Sequence, residues 1–453
     1  MRRSRLPEVA QVDVNRRLSA CLEPSCASVS DRYLALNELF SDALALLAGP
    51  RRDSRSRPRG AITIAAVAPD PRIGVARPTA RSESVGSLLR PAPLKALFDR
   101  VYSPHSSHVA ALLSEVELEA LAELDAVADT AIRDAVARQE ALGLDVVTDG
   151  ELRRAHYTNS LFDGLSGLAE SERPEFFAGD DNVAPPPEPI AQERLRVVSN
   201  PLAREIGFLG KITRSPCKVA IQTPSSFYFP AARYNPATYE TRDAFVEEII
   251  AVVKQLVAGA VDAGARYIQF DYPLFPAMAD PEKREELLAG SGVDLDRIFD
   301  KAIAADNEVL ADIPDGVTTA LHVCRGNYRS HWWARGSLEP VAERMFNELR
   351  HQRFLVEWED TDREGDYSPL RFVPAGPIVV MGLVSSKVPR LEDEDEIVAR
   401  LEEAAGFLDM TQLALSPQCG FASVWHGNEI TEDVQWRKLE LVARVADRAW
   451  GRV

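Results

Sequence analysis

A histidine and a cysteine two residues apart end an apolar run in this sequence, His322 and Cys324, followed by Arg325. Residues two apart in a β-strand share a face, so the imidazole and the thiol project side by side where Gly326 turns the chain. Both can reach one metal ion at about 2.0–2.3 Å from each ligand atom. Either residue alone could simply be packed, so the pair gains weight only if other strands end in further ligands.

Two further strands do end in such ligands. Glu357 and Glu359 close the sixth apolar run, and Cys419 follows the eighth. With His322 and Cys324 they form a set of N, S and O donors that suits Zn²⁺, so we expect one zinc ion per chain. The carboxylate can be either glutamate, because both lie on the same strand face. A metal at this point lowers the pKa of a bound thiol and delivers a thiolate at neutral pH.

The elements that position these residues alternate regularly. Eight short apolar runs are separated by segments of helical period, which predicts an α/β fold, most simply a (β/α)8 barrel, with a doubly wound open sheet as the alternative. Barrels place their chemistry at the C-terminal ends of the strands, so the zinc site is expected there. The predicted strands are 84–91, 144–151, 218–223, 266–273, the run holding His322, 353–359, 377–384 and 411–416. The principal predicted helices are 114–142, 241–263, 338–350, 394–406 and 432–450.

Composition excludes several classes of protein. The net charge of −17 argues against binding a nucleic-acid backbone and against adhesion to anionic membranes. No stretch approaches the roughly 20 apolar residues of a membrane helix. Five scattered cysteines do not form a disulfide framework, and the N-terminus lacks the apolar core of a secretory signal. We therefore expect a cytoplasmic protein; its oligomeric state is left open.

Two segments stand outside the alternating pattern. Residues 1–78 contain a basic, Ser/Pro-rich run at 51–60 without apolar period, which predicts a poorly ordered extension before a barrel domain at 79–453. Residues 170–194 are acidic and rich in proline, and we expect a surface loop or lid near the mouth of the barrel.

Several motifs together resemble the catalytic domain of cobalamin-independent methionine synthase, and most closely its short single-barrel members. They cover residues 80–453 in the family's order: Val85-Gly-Ser87, 146–151, 268–271, His322-Val-Cys324 and Ser416-Pro-Gln-Cys-Gly-Phe421. The resemblance implies a barrel whose zinc activates homocysteine for methylation by a folate.

Residue by residue, the resemblance implies two sets of contacts. The implied zinc ligands are His322, Cys324, Glu357 and Cys419. The implied contacts to the amino-acid thiol are Val85, Gly86, Ser87, Glu151 and Asp271. The physical chemistry agrees, since two carboxylates can hold an α-ammonium group while a hydroxyl and backbone N–H groups hold an α-carboxylate.

Three departures concern the methyl donor. Residues 1–78 are too short for the duplicated barrel of the family's large form, and the tryptophan that supports the pterin is replaced near Pro224. The proton-donating histidine falls at Lys387, which with Asp271 becomes an expected catalytic residue. A lysine can supply the proton only if its pKa is lowered or through water. A folate, a methylated corrinoid protein and another alkyl donor all remain open.

The sequence thus favours a zinc-dependent S-methyltransferase of methionine biosynthesis, with homocysteine as the small-molecule partner. A zinc-dependent alkyl or epoxide–thiol transferase is the first alternative, but its sulfonate thiol would need a cationic pocket, and Glu151 and Asp271 are acidic. The second alternative is a non-catalytic, zinc-stabilised barrel, which would not need these inward carboxylates.

Overall fold

The computed structural model describes residues 80–102, 118–170, 189–228, 234–271, 275–285 and 294–451. All of them belong to one of the two compact units of the chain, Pro69–Val453. The extension predicted at residues 1–78 lies outside the described residues and stays a prediction.

Helices and strands alternate along the described chain. The helices are α1 Ala92–Tyr102, α2 Leu118–Leu142, α3 Asn159–Phe162, α4 Pro201–Ile212, α5 Arg242–Asp262, α6 Phe275–Ala279, α7 Leu295–Leu310, α8 Glu339–Glu348, α9 Thr361–Glu364, α10 Glu394–Ala404 and α11 Glu432–Trp450. The strands are β1 Leu165–Glu170, β2 Pro189–Val197, β3 Val219–Gln222, β4 Tyr267–Asp271, β5 Thr318–Val323, β6 Arg353–Glu357, β7 Ile378–Val384 and β8 Leu413–Pro417.

The predicted α/β fold with a parallel sheet is confirmed. Strands β3 to β8 form a six-stranded parallel sheet in chain order. Single parallel bridges continue from both edges: Ser82 pairs with Leu415 of β8, Glu83 with Val146, and Val147 with Cys217 just before β3.

The first two predicted strands are wrong in extent, because their polar backbone groups bond elsewhere. No extended strand occupies 84–91: Leu88 N donates to Gly150 O, and Leu89 N donates to the side chain of Gln435 in α11. In 144–151 only Val146 and Val147 pair with neighbours, and the chain then turns.

The predicted loop at 170–194 is also partly wrong. Its last residues, from Pro189, belong to β2, which pairs antiparallel with β1 in a hairpin. Residues 171–188 lie outside the described residues. Helices α4 and α7 were not predicted, although Asn200 and Asp294 cap their first turns through side-chain acceptors, a signal present in the sequence.

Alternation along the strands gives the sheet two buried faces. Helices cover one face. On the other, side chains at every second position form three levels from the N-terminal to the C-terminal strand ends. The first level is ionic, the second is a small apolar cluster that includes Val85, Ala320 and Val380, and the third carries Asp271, His322 and Glu357.

The ionic level centres on Glu83, which is fully buried. Its carboxylate lies 2.5 Å from Lys218 Nζ and 2.8 Å from Arg353 NH2, and accepts a 3.0 Å hydrogen bond from Tyr267 OH. Burial alone would raise the pKa of Glu83, but the two cations hold it below its usual value. This cluster fills the end of the sheet opposite the predicted site.

Among the described residues, no helix is long and apolar enough to cross a membrane.

Glu83→Gln should lower the free energy of unfolding by about 3–5 kcal/mol, because it leaves two buried cations without a counter-charge. Chemical denaturation measures this. Glu123→Gln is the matched control, since its partner Arg100 is half exposed and such surface pairs contribute less than about 1 kcal/mol. Equal losses in both variants would show that the buried cluster has no special weight.

Candidate active site

Three of the four predicted metal ligands meet at the C-terminal ends of β5 and β8. His322 lies in β5, Cys324 follows it, and Cys419 lies just beyond β8. One donor atom from each lies within 4.8 Å of the others, all three residues are buried, and the two Sγ atoms are 3.8 Å apart. Gly326, at a φ of 91°, then turns the chain away from the site.

The donor set fits zinc. Two sulfurs bound to one tetrahedral zinc at about 2.3 Å lie about 3.8 Å apart, which matches the separation of Cys324 and Cys419. His322 Nε2 is buried and has no hydrogen-bond partner among the described residues. One imidazole and two thiols are donors that zinc prefers.

Contacts among these three residues and Asp271 shift the pKa values of the two thiols and the imidazole. The contact with Cys324 lowers the pKa of the Cys419 thiol, and the same contact raises that of Cys324. Burial would lower the pKa of His322, but Asp271 and Cys419 raise it to about 10. Zinc binds a neutral imidazole and deprotonated thiols, so metal binding to these three residues would release protons.

The fourth predicted ligand, Glu357, lies beside this group but not within it. Its Oε1 lies 2.5 Å from Lys387 Nζ and accepts a 3.1 Å hydrogen bond from Gln418 Nε2. Its Oε2 accepts a 2.9 Å bond from the backbone N–H of Arg325, the residue after Cys324. Burial would raise the pKa of Glu357, but Lys387 and Arg363 hold it below its ordinary value.

Glu359, the alternative ligand, points to a second cluster of charges. Carboxylate oxygens of Glu357, Glu359 and Glu364 lie within 4.8 Å of one another. Arg363 NH2 donates at 2.8 Å to both Glu359 and Glu364. Glu359 is therefore engaged by an arginine and lies outside the group formed by His322, Cys324 and Cys419.

Lys387, the predicted proton donor, lies just beyond β7 and is bound to Glu357. Burial lowers the pKa of Lys387, but the negative charges around it, chiefly Glu357 and Glu359, together raise it by more, so that the net pKa is above the ordinary value. The ion pair makes the lysine a poorer acid, and its role in proton transfer stays a prediction.

The predicted amino-acid contacts form the neighbouring wall. Val85 is buried among apolar side chains. Glu151 adopts a left-handed backbone, at a φ of 53°, and its Oε1 packs so closely on Gly86 that a Cβ there would lie 2.5 Å away. Burial raises the pKa of Glu151 to about 7, against the opposing charge of Arg154. Ser87 packs against Gly420, the residue after Cys419, and its Oγ accepts a 3.3 Å bond from Ala422 N.

Asp271 joins this wall to the metal ligands. Its Oδ1 lies 3.3 Å from His322 Nδ1 and accepts a 2.7 Å hydrogen bond from Gln269 Nε2. The parallel register pairs Asp271 directly with His322, so the two side chains lie on one face.

Sequence reasoning missed several polar residues around the site. Gln418 connects Ser386 Oγ at 2.5 Å to Glu357, although it stands inside the Ser-Pro-Gln-Cys motif. Asn327 donates to Gly420 O, and Asn428 to Ser386 O, which ties together the loops after β5, β7 and β8. Gln269, which donates a hydrogen bond to Asp271, was missed as well, although it lies two residues before Asp271 in the same strand and so shares its face.

Comparisons with known proteins agree with the motifs. A family model described as the catalytic domain of cobalamin-independent synthase matches residues 103–435. The uncharacterized protein YxjH of Bacillus subtilis is 33% identical over 82% of this chain and 94% of its own length. A methionine synthase of Pyrococcus abyssi is 26% identical over 65% of this chain and 76% of its own length.

Two solved structures share the fold. A putative vitamin-B12-independent methionine synthase from Listeria monocytogenes is 25% identical, with a TM-score of 0.59 over 82% of this chain and 98% of its own. A B12-independent methionine synthase from Shewanella, solved with selenomethionine, is 20% identical, with a TM-score of 0.61 over 82% and 97%.

The resemblance seen in the motifs is thereby confirmed, and membership supports a methyltransferase of the methionine-forming type. Because the family model spans most of its length, this chain belongs to the cobalamin-independent methionine synthase family, in its catalytic domain.

Proposed function

We propose that this protein is a zinc-dependent methyltransferase that moves a methyl group onto the sulfur of homocysteine and forms methionine. The observation that carries the proposal is the meeting of His322, Cys324 and Cys419 within 4.8 Å, next to the carboxylate of Asp271. A metal with soft ligands and a nearby ammonium-binding acid suit an amino acid that carries a thiol.

The proposed scaffold is a closed (β/α)8 barrel. Ser82 and Glu83 would represent its first strand, and Val146 and Val147 its second, because their bridges connect β8 to the edge of β3. The likeness in fold to the Listeria and Shewanella structures supports this assignment. The zinc site then lies at the C-terminal strand ends, where barrel enzymes place their chemistry.

His322, Cys324 and Cys419 would hold one zinc ion, with Glu357 as the fourth ligand. When bound, zinc supplies a Lewis acid that lowers the pKa of a coordinated thiol. The protein positions these donors in advance: the register with Asp271 fixes His322, and Arg325 N, Gln418 and Lys387 hold Glu357 at the edge of the group.

The amino-acid end of the substrate would lie between the metal and the wall formed by Glu151 and Ser87. Asp271 and Glu151 would hold the ammonium group, and Ser87 with nearby backbone N–H groups the carboxylate. Gly86 keeps this wall open, because a side chain there would displace Glu151. The selenomethionine bound by the Shewanella protein, an amino acid close to the proposed product, supports such a pocket.

Lys387 would face the methyl donor, which we take to be a folate or another methylated carrier. It already neutralises Glu357, so it can give up a proton only when that ion pair opens. Its first task in this proposal is therefore to hold the carboxylate, and Asp271 serves the substrate.

The purified protein should hold about one zinc ion per chain, and His322→Ala or Cys419→Ala should remove most of it. At saturating homocysteine, X-ray absorption at the zinc edge should show one added sulfur, or one oxygen or nitrogen replaced by sulfur. Cys217→Ala is the matched control, since this buried cysteine lies outside the group and should not affect zinc content. If the atoms coordinated to zinc are the same with and without saturating homocysteine, the thiol-activation mechanism is contradicted.

Glu357→Gln should weaken zinc binding about tenfold or more, because it alters the carboxylate proposed as the fourth ligand, whereas Glu359→Gln should change it little. Competition with a chelator measures both affinities. Since Glu357→Gln also leaves Lys387 poorly paired, the comparison is made well below the melting temperature of each variant. The reverse order would move the ligand to Glu359.

Homocysteine capture should depend on pH through Glu151. Because its pKa is raised to about 7, the carboxylate becomes neutral as pH falls below 7 and loses its attraction for the ammonium group. Wild-type kcat/KM should therefore fall towards tenfold per pH unit below 7. Glu151→Gln should have a low kcat/KM with less dependence on pH in that range, at constant zinc content. Identical profiles for the two proteins would remove Glu151 from substrate binding.

A further inference from the structure

One amide side chain inside the fold has no place in the scheme so far. Gln269 in β4 is fully buried, at the level of the sheet face that is otherwise filled by small apolar side chains such as Val85 and Ala320. An amide at such a position is costly unless its polar atoms are used. Its Oε1 has no partner among the described residues.

The other half of the amide is committed to a single contact. Gln269 Nε2 donates at 2.7 Å to Asp271 Oδ1, the same oxygen that lies 3.3 Å from His322 Nδ1. Strand alternation puts Gln269 directly below Asp271, and the register puts His322 beside it. The reverse orientation of the amide would set two oxygens against each other, so the donor must face Asp271.

Gln269 Nε2 and His322 Nδ1 both lie against Oδ1 of Asp271, which leaves Oδ2 for another contact. Within the described part of the chain, the side-chain contacts of Asp271 fall on Oδ1. An unanchored carboxylate would rotate and offer either oxygen to either neighbour. The hydrogen bond from Gln269 restricts this rotation.

We propose that Gln269 is a positioning residue that fixes Asp271 so that one carboxylate serves two tasks. Oδ1 orients His322 so that Nε2 faces the metal, and Oδ2 faces the ammonium group of the amino acid. The inference rests on the proposed function and deepens it. It couples metal affinity to amino-acid binding through Gln269, which contacts neither the metal nor the amino acid.

Gln269→Met tests this, since methionine keeps the length of the side chain but cannot donate to Asp271. Zinc affinity, measured by competition with a chromophoric chelator, should fall about tenfold. KM for homocysteine should rise several-fold with a smaller change in kcat. Gln222→Met is the matched control: Gln222 is a buried amide on the neighbouring strand, pairs with Asp271 in register, and makes no hydrogen bond to it within the described residues. It should leave zinc affinity unchanged.

The outcomes separate the two proposals. If wild-type protein holds no zinc, the proposed function fails and this inference fails with it. If wild-type protein holds zinc and Gln269→Met binds it equally well with an unchanged KM, only the inference is overturned. A loss of equal size in Gln222→Met would also overturn it, because any change inside the sheet would then suffice. Should Gln269→Met not fold, Gln269→Asn replaces it: this amide is one methylene too short to reach Asp271 and carries the same expectation.

Discussion

Two sulfur atoms 3.8 Å apart, those of Cys324 and Cys419, set the geometry on which the rest of the site depends. They are separated by 95 residues, so only close packing of the loops after β5 and β8 can bring them together. Gly382 in β7 makes room for that packing, because a Cβ there would lie 2.8 Å from the Cα of Gln418 and from Val356 O. Gly420 similarly lets Ser87 approach.

Buried charge is distributed at the two ends of one sheet face. At the N-terminal end, Glu83 is matched by Lys218 and Arg353, and all its charge is satisfied within the protein. At the C-terminal end, His322 Nε2 has no hydrogen-bond partner among the described residues, and Glu151 is buried with a pKa raised to about 7. The first arrangement holds strands together, while the second leaves polar groups ready for a ligand. The apolar level between them separates the two.

The side chains that hold the expected metal and substrate contacts in place matter as much as those contacts themselves. The carboxylate of Glu357 accepts hydrogen bonds from Lys387, Gln418 and Arg325 N, and that of Asp271 accepts one from Gln269. Carboxylates held in this way lose little conformational freedom when a metal or substrate binds, which favours affinity and a single geometry. Glu151 contributes in the same way through a strained left-handed backbone that aims its carboxylate at Gly86.

The local sequence pattern alone determined the type of several elements, the face on which key side chains lie, and the family. The period of two placed His322 and Cys324 side by side, helical period predicted α11 with its observed bounds, and motif order identified the family. Tertiary structure decided the rest: that the first two runs pair only through single bridges, that β2 replaces part of the predicted loop, that Lys387 binds Glu357, and that Gln269 holds Asp271. The physical reason is that periodicity reports which face of an element a side chain occupies. Which group it meets there depends on strand register and on loops joined from distant parts of the chain, and the pattern within one element carries no record of either.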